Sequence, residues 1–413
     1  MWTATSVRTS ARWSVTAVCG CCLLGSALIA GGDKKPRARD LGLEIGVFPP
    51  GTINAITDVQ GVKVGHTTII EGDNVRTGVT AILPHGGNLF QEKVAGAVFV
   101  GNAFGKLAGS TQVLELGQIE TPIVLTNTLS VGTAVEAVVA YTLAQPGNEQ
   151  VRSVNAVVGE TNDGGLNDIR GLHVTREHVQ AAITSAKTGA VEEGAVGAGT
   201  GTIAFGWKGG IGTSSRRVRV GSDTFTVGVL VQSNYGGKLT IAGVPVWQEL
   251  QPATSRGRSP RGLTPSPGER GQTPAHQSRA DGSCMVVVAT DAPLDAQNLK
   301  RLAARAIFAL ARTGSTYSNG SGDFAIAFST SRAPRGLTPS PGERGQTPGA
   351  AAVQQRAVIH TDAVSGLFEA TLDATEEAVY NSLLKATDTT GNGRTAPALP
   401  IDQLRALLKK YGR

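Results

Sequence analysis

Asp281-Gly282-Ser283-Cys284-Met285-Val286-Val287-Val288-Ala289-Thr290-Asp291 is the stretch around which the rest of the chain is read. The Asp-Gly pair marks a turn, and the β-branched run behind the serine marks a buried strand. Ser283 therefore opens a core strand, gripped from behind by apolar packing and approached by a leader that is free to bend. That position suits a nucleophile, and equally a peptide bond that must break. It also suits an ordinary turn serine, and the stretch alone does not separate these readings.

Outward from it, short apolar runs alternate with helical periodicity, the pattern of an α/β protein. On the N-terminal side, Ala55–Val59 and Val62–Ile70 read as two strands joined at Gln60-Gly61. Val79–Leu83, Val94–Val100, Ile123–Leu125, Val154–Val158 and Phe225–Gln232 read as further strands. Val131–Leu143 reads as an apolar helix, and Thr175 caps a second helix reaching about Lys187. The strand at Val154–Val158 ends in Gly159–Asp168, and Gly194–Arg217 is dense in glycine. Beyond Ser283, Asp295 caps a helix over Ala296–Arg312 that Gly314 ends, with Leu299, Leu302, Ala306 and Leu310 on one face. Phe324–Phe328 is a strand, and Ala363–Lys385 and Ile401–Lys410 are helices.

With 413 residues, 40% of them hydrophobic, the chain can build a sizeable core. Its formal net charge of +6 sits largely in the leader and in two Arg-rich inserts, not in a basic stripe interleaved with aromatics. Nucleic acid is therefore a poor partner for it. Residues 1–30 have the form of a signal peptide: Arg8 and Arg12, then a largely apolar Ser14–Ala30 with small residues at Gly25, Ala27 and Ala30. This leader predicts export to a periplasm, or a membrane anchor if it stays uncleaved. Cys19, Cys21 and Cys22 fall inside it, so a cleaved chain keeps only Cys284 and forms no internal disulfide.

Pro260–Pro274 and Pro334–Pro348 are identical copies of Pro-Arg-Gly-Leu-Thr-Pro-Ser-Pro-Gly-Glu-Arg-Gly-Gln-Thr-Pro. Two copies make no solenoid, and one Leu in each buries no core. They read as insertions at about 255–280 and 331–350, placed where a longer loop costs little. Other motifs fall away. Gly197-Ala198-Gly199-Thr200-Gly201 lacks the dinucleotide spacing, and Asp388–Gly393 lacks the closing Glu of a calcium loop. The histidines, at 66, 85, 173, 178, 276 and 360, have no metal-ligand spacing, and no metal or organic cofactor is expected.

Taken together, several segments resemble the DmpA family of N-terminal-nucleophile aminopeptidases, which includes L-aminopeptidase/D-esterases and β-peptidyl aminopeptidases. They are Asn54–Val62, Gly159–Asp168, Gly199–Arg217, Val231–Gly236, Asp281–Asp291 and Asn319–Phe324. They are collinear and cover nearly all of residues 38–413 outside the repeats. The resemblance implies a four-layer αββα sandwich of the type shared with ornithine acetyltransferase. It also implies one catalytic domain cut by itself between Gly282 and Ser283 into a large subunit (38–282) and a small one (283–413), with homotetramers expected.

The chemistry supports that reading. A serine hydroxyl needs a base within hydrogen-bond reach. An α-amine, with a pKa of roughly 7.7–8.0, serves as one near neutral pH once the bond before Ser283 is broken. The resemblance implies that Ser321 and Asp323 orient the amine and hold its cationic form. It likewise implies that Asn234 donates to the oxyanion and that Glu160 pairs with the free ammonium of a small peptide, aminoacyl amide or ester. The plainer alternatives are a polar turn for Ser321 and Asp323, a strand-end cap for Asn234, and a structural bond near Asn167 and Asp168 for Glu160. Some relatives carry a tyrosine near the Glu160 segment, and none lies between Glu160 and Asp168 here. Cys284 reads as core packing. Two other functions compete: an acyltransferase of the same fold, whose nucleophile is a threonine, and an unprocessed binding protein.

Overall fold

The computed structural model describes residues 1–3, 5, 35–252, 282–331 and 357–413. Ser14–Ala30, both copies of the repeat, His276 and Asp281 lie outside the described residues. Residues 35–413 belong to one unit.

In chain order the strands are β1 (Lys63–Glu71), β2 (Val75–Leu83), β3 (Val94–Ala103), β4 (Leu107–Ala108), β5 (Gln118–Ile119), β6 (Ile123–Asn127), β7 (Val157–Thr161), β8 (Ile203–Ala204), β9 (Trp207–Lys208), β10 (Gly210–Val220), β11 (Asp223–Asn234), β12 (Ser283–Thr290), β13 (Gly322–Ser329), β14 (Thr389–Gly391) and β15 (Arg394–Ala396). The helices are α1 (Ser110–Leu116), α2 (Val131–Leu143), α3 (Arg176–Thr184), α4 (Val246–Glu249), α5 (Ala296–Arg312), α6 (Ser365–Leu384) and α7 (Ile401–Lys410). One sheet runs β1-β2-β6-β7-β4 and the other β10-β11-β12-β13-β3-β5. Each has a parallel pair at its heart, β6 with β7 and β12 with β13, joined through α2 and α5 respectively.

Side-chain alternation stacks these parts into the expected four layers. Met285, Val287, Phe324 and Ile326 meet Ile82, Ile123, Leu125 and Val157 between the sheets. Val286, Val288, Ala325 and Ala327 point the other way, onto Leu299, Leu302, Ala306 and Leu310 of α5 and Ala374 and Ala378 of α6. Val79, Val124 and Val158 bury the outer face of the five-stranded sheet against Val138 of α2 and Val179 and Ile183 of α3. The apolar run of β12 is therefore buried on both faces, which makes it an uninterrupted run in sequence. At about 2 kcal/mol for each fully buried aliphatic side chain, it is a firm base for the residue at its start.

Two expectations need correction. Ala55–Val59 is not a strand: Asn54 takes a left-handed φ of 51° and Ile56–Asp58 form a 3-10 turn. The Asp58 carboxylate accepts from the Ala55 amide at 3.0 Å and from the Ser215 hydroxyl at 2.7 Å, closing the chain on itself. The strand expected at Val154–Val158 lies further on, at Val157–Thr161, so Gly159 and Glu160 are strand residues and not loop. The last third of the glycine-dense Gly194–Arg217 belongs to strand β10. An apolar-run reading misses β10 because its buried positions are polar: Ser214, Ser215 and Arg216, the last paired at 2.6 Å with Glu377 of α6, both wholly buried. Asp388–Gly393 belongs to the β14–β15 hairpin, turned at Asn392 and Gly393, both with positive φ.

Glycine in β10 has a packing cause. A Cβ on Gly212 would lie 2.0 Å from the Ala378 carbonyl oxygen, so α6 rests directly on the strand backbone. Gly212→Ala is expected to destabilise the fold by about 3 kcal/mol, the cost of overpacking against an unyielding backbone, seen as a lowered urea midpoint with an unchanged m value.

Candidate active site

Ser283 is the first residue of β12, and its side chain shares the inter-sheet face with Met285 and Val287. It stands opposite Asn234, the last residue of β11, on one side and Gly322, the first of β13, on the other. The Gly322 amide reaches two acceptors at once, the Gly282 carbonyl at 3.2 Å and the Ser283 hydroxyl at 3.3 Å. Position 282 admits glycine alone, since a Cβ there would lie 2.0 Å from the Asn234 carbonyl oxygen. The bond between Gly282 and Ser283 is thus clamped between two strands, with one N–H shared by its carbonyl and the neighbouring hydroxyl.

The Ser321 hydroxyl donates to Asp323 Oδ1 at 2.9 Å. Asp323 faces the α5–α6 side of its sheet with Cys284, because Phe324 after it points between the sheets. The structure thus brings Ser321 and Asp323 together, while the Asp323 carboxylate and the Ser283 hydroxyl lie on opposite faces. Asp323 is fully buried and its Oδ2 has no hydrogen-bond partner among the described residues. Burial pushes its pKa up to about 6, against the opposing pull of the Ser321 hydroxyl and the Cys284 backbone. Cys284 is buried, and the same desolvation raises its thiol well above the usual range, in keeping with a packing role.

Asn234 is held at both ends of its amide. Its Oδ1 accepts from the Ile203 amide at 2.9 Å, and its Nδ2 donates to the Asn162 carbonyl at 2.9 Å. A side-chain amide has two N–H donors, so one remains for an oxygen arriving beside Ser283.

Glu160 sits on β7, in the other sheet, and is 2% exposed. Its Oε1 accepts from the Lys106 amide at 3.0 Å with Lys106 Nζ at 3.8 Å, and its Oε2 accepts from the Thr128 hydroxyl. The alternative bond near Asn167 and Asp168 is not formed: Asn167 Nδ2 donates to Asp163 at 3.0 Å. Gly105 links Glu160 to the Ser283 side. A Cβ on it would lie 3.1 Å from Glu160 Oε1 and 3.4 Å from Gly322 Cα. Gly105, Lys106 and Thr128 went unnoticed in the sequence because no motif or periodicity surrounds them. Among the described residues no group of three His, Cys, Asp or Glu side chains is arranged to hold a metal ion.

The model of peptidase family S58 matches residues 54–396. The chain belongs to this family. A β-peptidyl aminopeptidase from Sphingosinicella microcystinivorans is 42% identical, with 96% of each chain covered. The solved structure of a Burkholderia sp. β-aminopeptidase is similar with a TM-score of 0.78 at 39% identity, covering 92% of this chain and 99% of that one. An L-aminopeptidase D-Ala-esterase/amidase from Ochrobactrum anthropi, a serine aminopeptidase with a variant of the Ntn hydrolase fold, gives 0.77 at 38% identity, covering 92% and 99%. The fold and the hydrolase class expected from the sequence, an aminopeptidase, agree with these relatives.

The Asp323 environment sets a pH-dependent cost. With its folded pKa above the unfolded value of about 3.9, the folded state favours the protonated acid. The penalty is full once pH rises past about 6 and vanishes below the unfolded value. Asp323→Asn is therefore expected to raise Tm at pH 8, with the gain fading as pH falls from 6 towards 4, as read by calorimetry across that range.

Proposed function

We propose that this S58 aminopeptidase is made as a precursor that cuts its own backbone between Gly282 and Ser283 and then uses Ser283 as an N-terminal nucleophile. The Gly322 amide carries the reading: it contacts both the Gly282 carbonyl oxygen, where negative charge would develop, and the Ser283 hydroxyl that would attack. In the first reaction Ser283 Oγ bonds to the Gly282 carbonyl carbon, the C–N bond breaks, and the hydroxyl proton passes to the Ser283 nitrogen. Water then hydrolyses the ester, leaving a carboxylate on Gly282 and a free amine on Ser283.

In the second reaction that amine takes the Ser283 hydroxyl proton as Oγ attacks a substrate carbonyl, and passes it to the departing amine or alcohol. Water, deprotonated by the same amine, then releases the acyl group from Oγ as an acid and restores the hydroxyl. Asn234 would donate to the tetrahedral oxyanion. Ser321, oriented by Asp323, would steady the ammonium form of the Ser283 amine through its hydroxyl oxygen. Glu160 would pair with the free ammonium of the substrate, restricting cleavage to the first residue of a peptide, amide or ester. The names of the relatives support β-amino acids among the residues released, alongside L-amino acids and D-alanine from its esters or amides. In the same reading residues 38–282 and 283–413 stay paired through β11–β12 and β3–β13, four such units form a homotetramer, and residues 1–30 direct export to a periplasm.

Mass spectrometry of the purified protein is expected to find two fragments divided before Ser283. Ser283→Ala is expected to leave one intact chain without amidase activity, and an intact but active chain would overturn the proposal. Glu160→Gln is expected to raise KM for β-homoamino-acid and alanine amides by roughly 10–100-fold, the worth of a hydrogen bond to a charged group. Its effect on substrates whose amine is acetylated should be far smaller, as measured by steady-state kinetics on both series.

A further inference from the structure

Lys208 is wholly buried, yet it makes no direct salt bridge among the described residues. Its Nζ donates to three carbonyl oxygens, Gly199 at 2.8 Å, Thr202 at 2.9 Å and Gly209 at 2.7 Å. Three acceptors match the three N–H donors of an ammonium group, so the cation closes residues 199–209 into a ring around itself. The loop so gathered is the one whose Ile203 amide holds Asn234 Oδ1. On the other side, Asp163 faces Lys208 closely enough for its charge to support the ammonium against the burial that pulls it to about 7. The loop also packs against the base of the Asp163 side chain, since a Cβ on Gly201 would lie 2.9 Å from Asp163 Cβ. Asp163 directly follows Asn162, whose carbonyl accepts from Asn234 Nδ2. The buried Lys208 thus gathers the loop that supplies one clamp and faces the carboxylate next to the other.

We infer that Lys208 is a positioning residue for Asn234, fixing the oxyanion donor beside Ser283 without touching the substrate. This rests on the proposed role of Asn234. An amide tethered at both ends cannot turn to follow the substrate, so its remaining N–H is aimed before the reaction begins, which is where such donors gain their effect. Releasing the loop lets the amide rotate, and catalysis is lost at the chemical step while binding of the substrate ammonium at Glu160 is kept.

The test is a double-mutant cycle between Lys208→Met and Asn234→Ala on the full chain, with rates on β-homoalanine p-nitroanilide referred to the fraction split before Ser283. Lys208→Met is expected to lower kcat by 10–100-fold with KM changed less than threefold, and to cost little more in the Asn234→Ala background. Asp163→Asn, which keeps the volume and removes only the facing charge, is expected to lower kcat by a smaller factor with the same loss of additivity, and it decides the matter should Lys208→Met fail to fold. Effects that multiply fully in the double variant, or a fall confined to KM or to thermal stability, would overturn the inference. An unchanged kcat in Asn234→Ala alone would instead remove the role of Asn234 on which it rests.

Discussion

The parallel pairing of β12 with β13 is the constraint on which the rest depends. It sets Ser283 opposite Gly322 and so delivers one backbone N–H to both the Gly282 carbonyl and the Ser283 hydroxyl. Neither strand can shift by a residue. Met285, Val287, Phe324 and Ile326 fill the space between the sheets, while Val286, Val288, Ala325 and Ala327 fill the space under the helices. A one-residue slip would exchange the two sets and place Cys284 and Asp323 where the inter-sheet core requires Ser283 and Gly322. Register in this pair is therefore enforced by the whole core and not by the few bonds at the site.

Polar groups tie the two sheets together behind the site. Gln232, two residues before Asn234 on the same face of β11, places its two Nε2 N–H donors within reach of the Thr161 hydroxyl at 2.8 Å, the Ala198 carbonyl at 2.9 Å and, more distantly, the Thr126 carbonyl at 3.2 Å. Thr161 directly follows Glu160, so this one amide fastens the strand bearing the carboxylate to the strand bearing Asn234. On the far side of the six-stranded sheet, the buried Arg216–Glu377 pair fixes α6 to β10. Such pairs are costly to desolvate, and their loss on one side only is costlier still.

The main strands and helices of the core were legible in the sequence for a physical reason, whereas their four-layer stacking and the role of Ser283 were indicated by resemblance. The buried run Met285–Ala289 and the amphipathic α5, with Asp295 accepting from the Asn298 amide at its start, are written in local hydrophobic pattern. What was not legible lies where polar side chains are buried by tertiary contact. β10 carries serines and an arginine that read as loop until Glu377 and Asp58 are brought up to them. Lys208, wholly buried among carbonyls, has no periodic signature at all. Glu160, Asn234, Ser321 and Asp323 were indicated by resemblance. Their bonding partners, Thr128, Ile203 and Asn162 among them, became visible only once distant segments met.

Glu160 and Ser283 belong to different sheets, and the sheets meet where Gly159 lies against Met285: a Cβ on Gly159 would lie 2.8 Å from the Met285 sulfur. In the proposed reading, the span from an ammonium at Glu160 to a carbonyl over Ser283 would be gauged by how tightly the two layers are stacked. An α-amino acid and its β-homologue differ by one backbone carbon along that line. Tolerance for the longer spacer would then be tuned from within the core, by the bulk of side chains that never meet a substrate, and a chain could drift between the two diets while its reactive groups stayed the same.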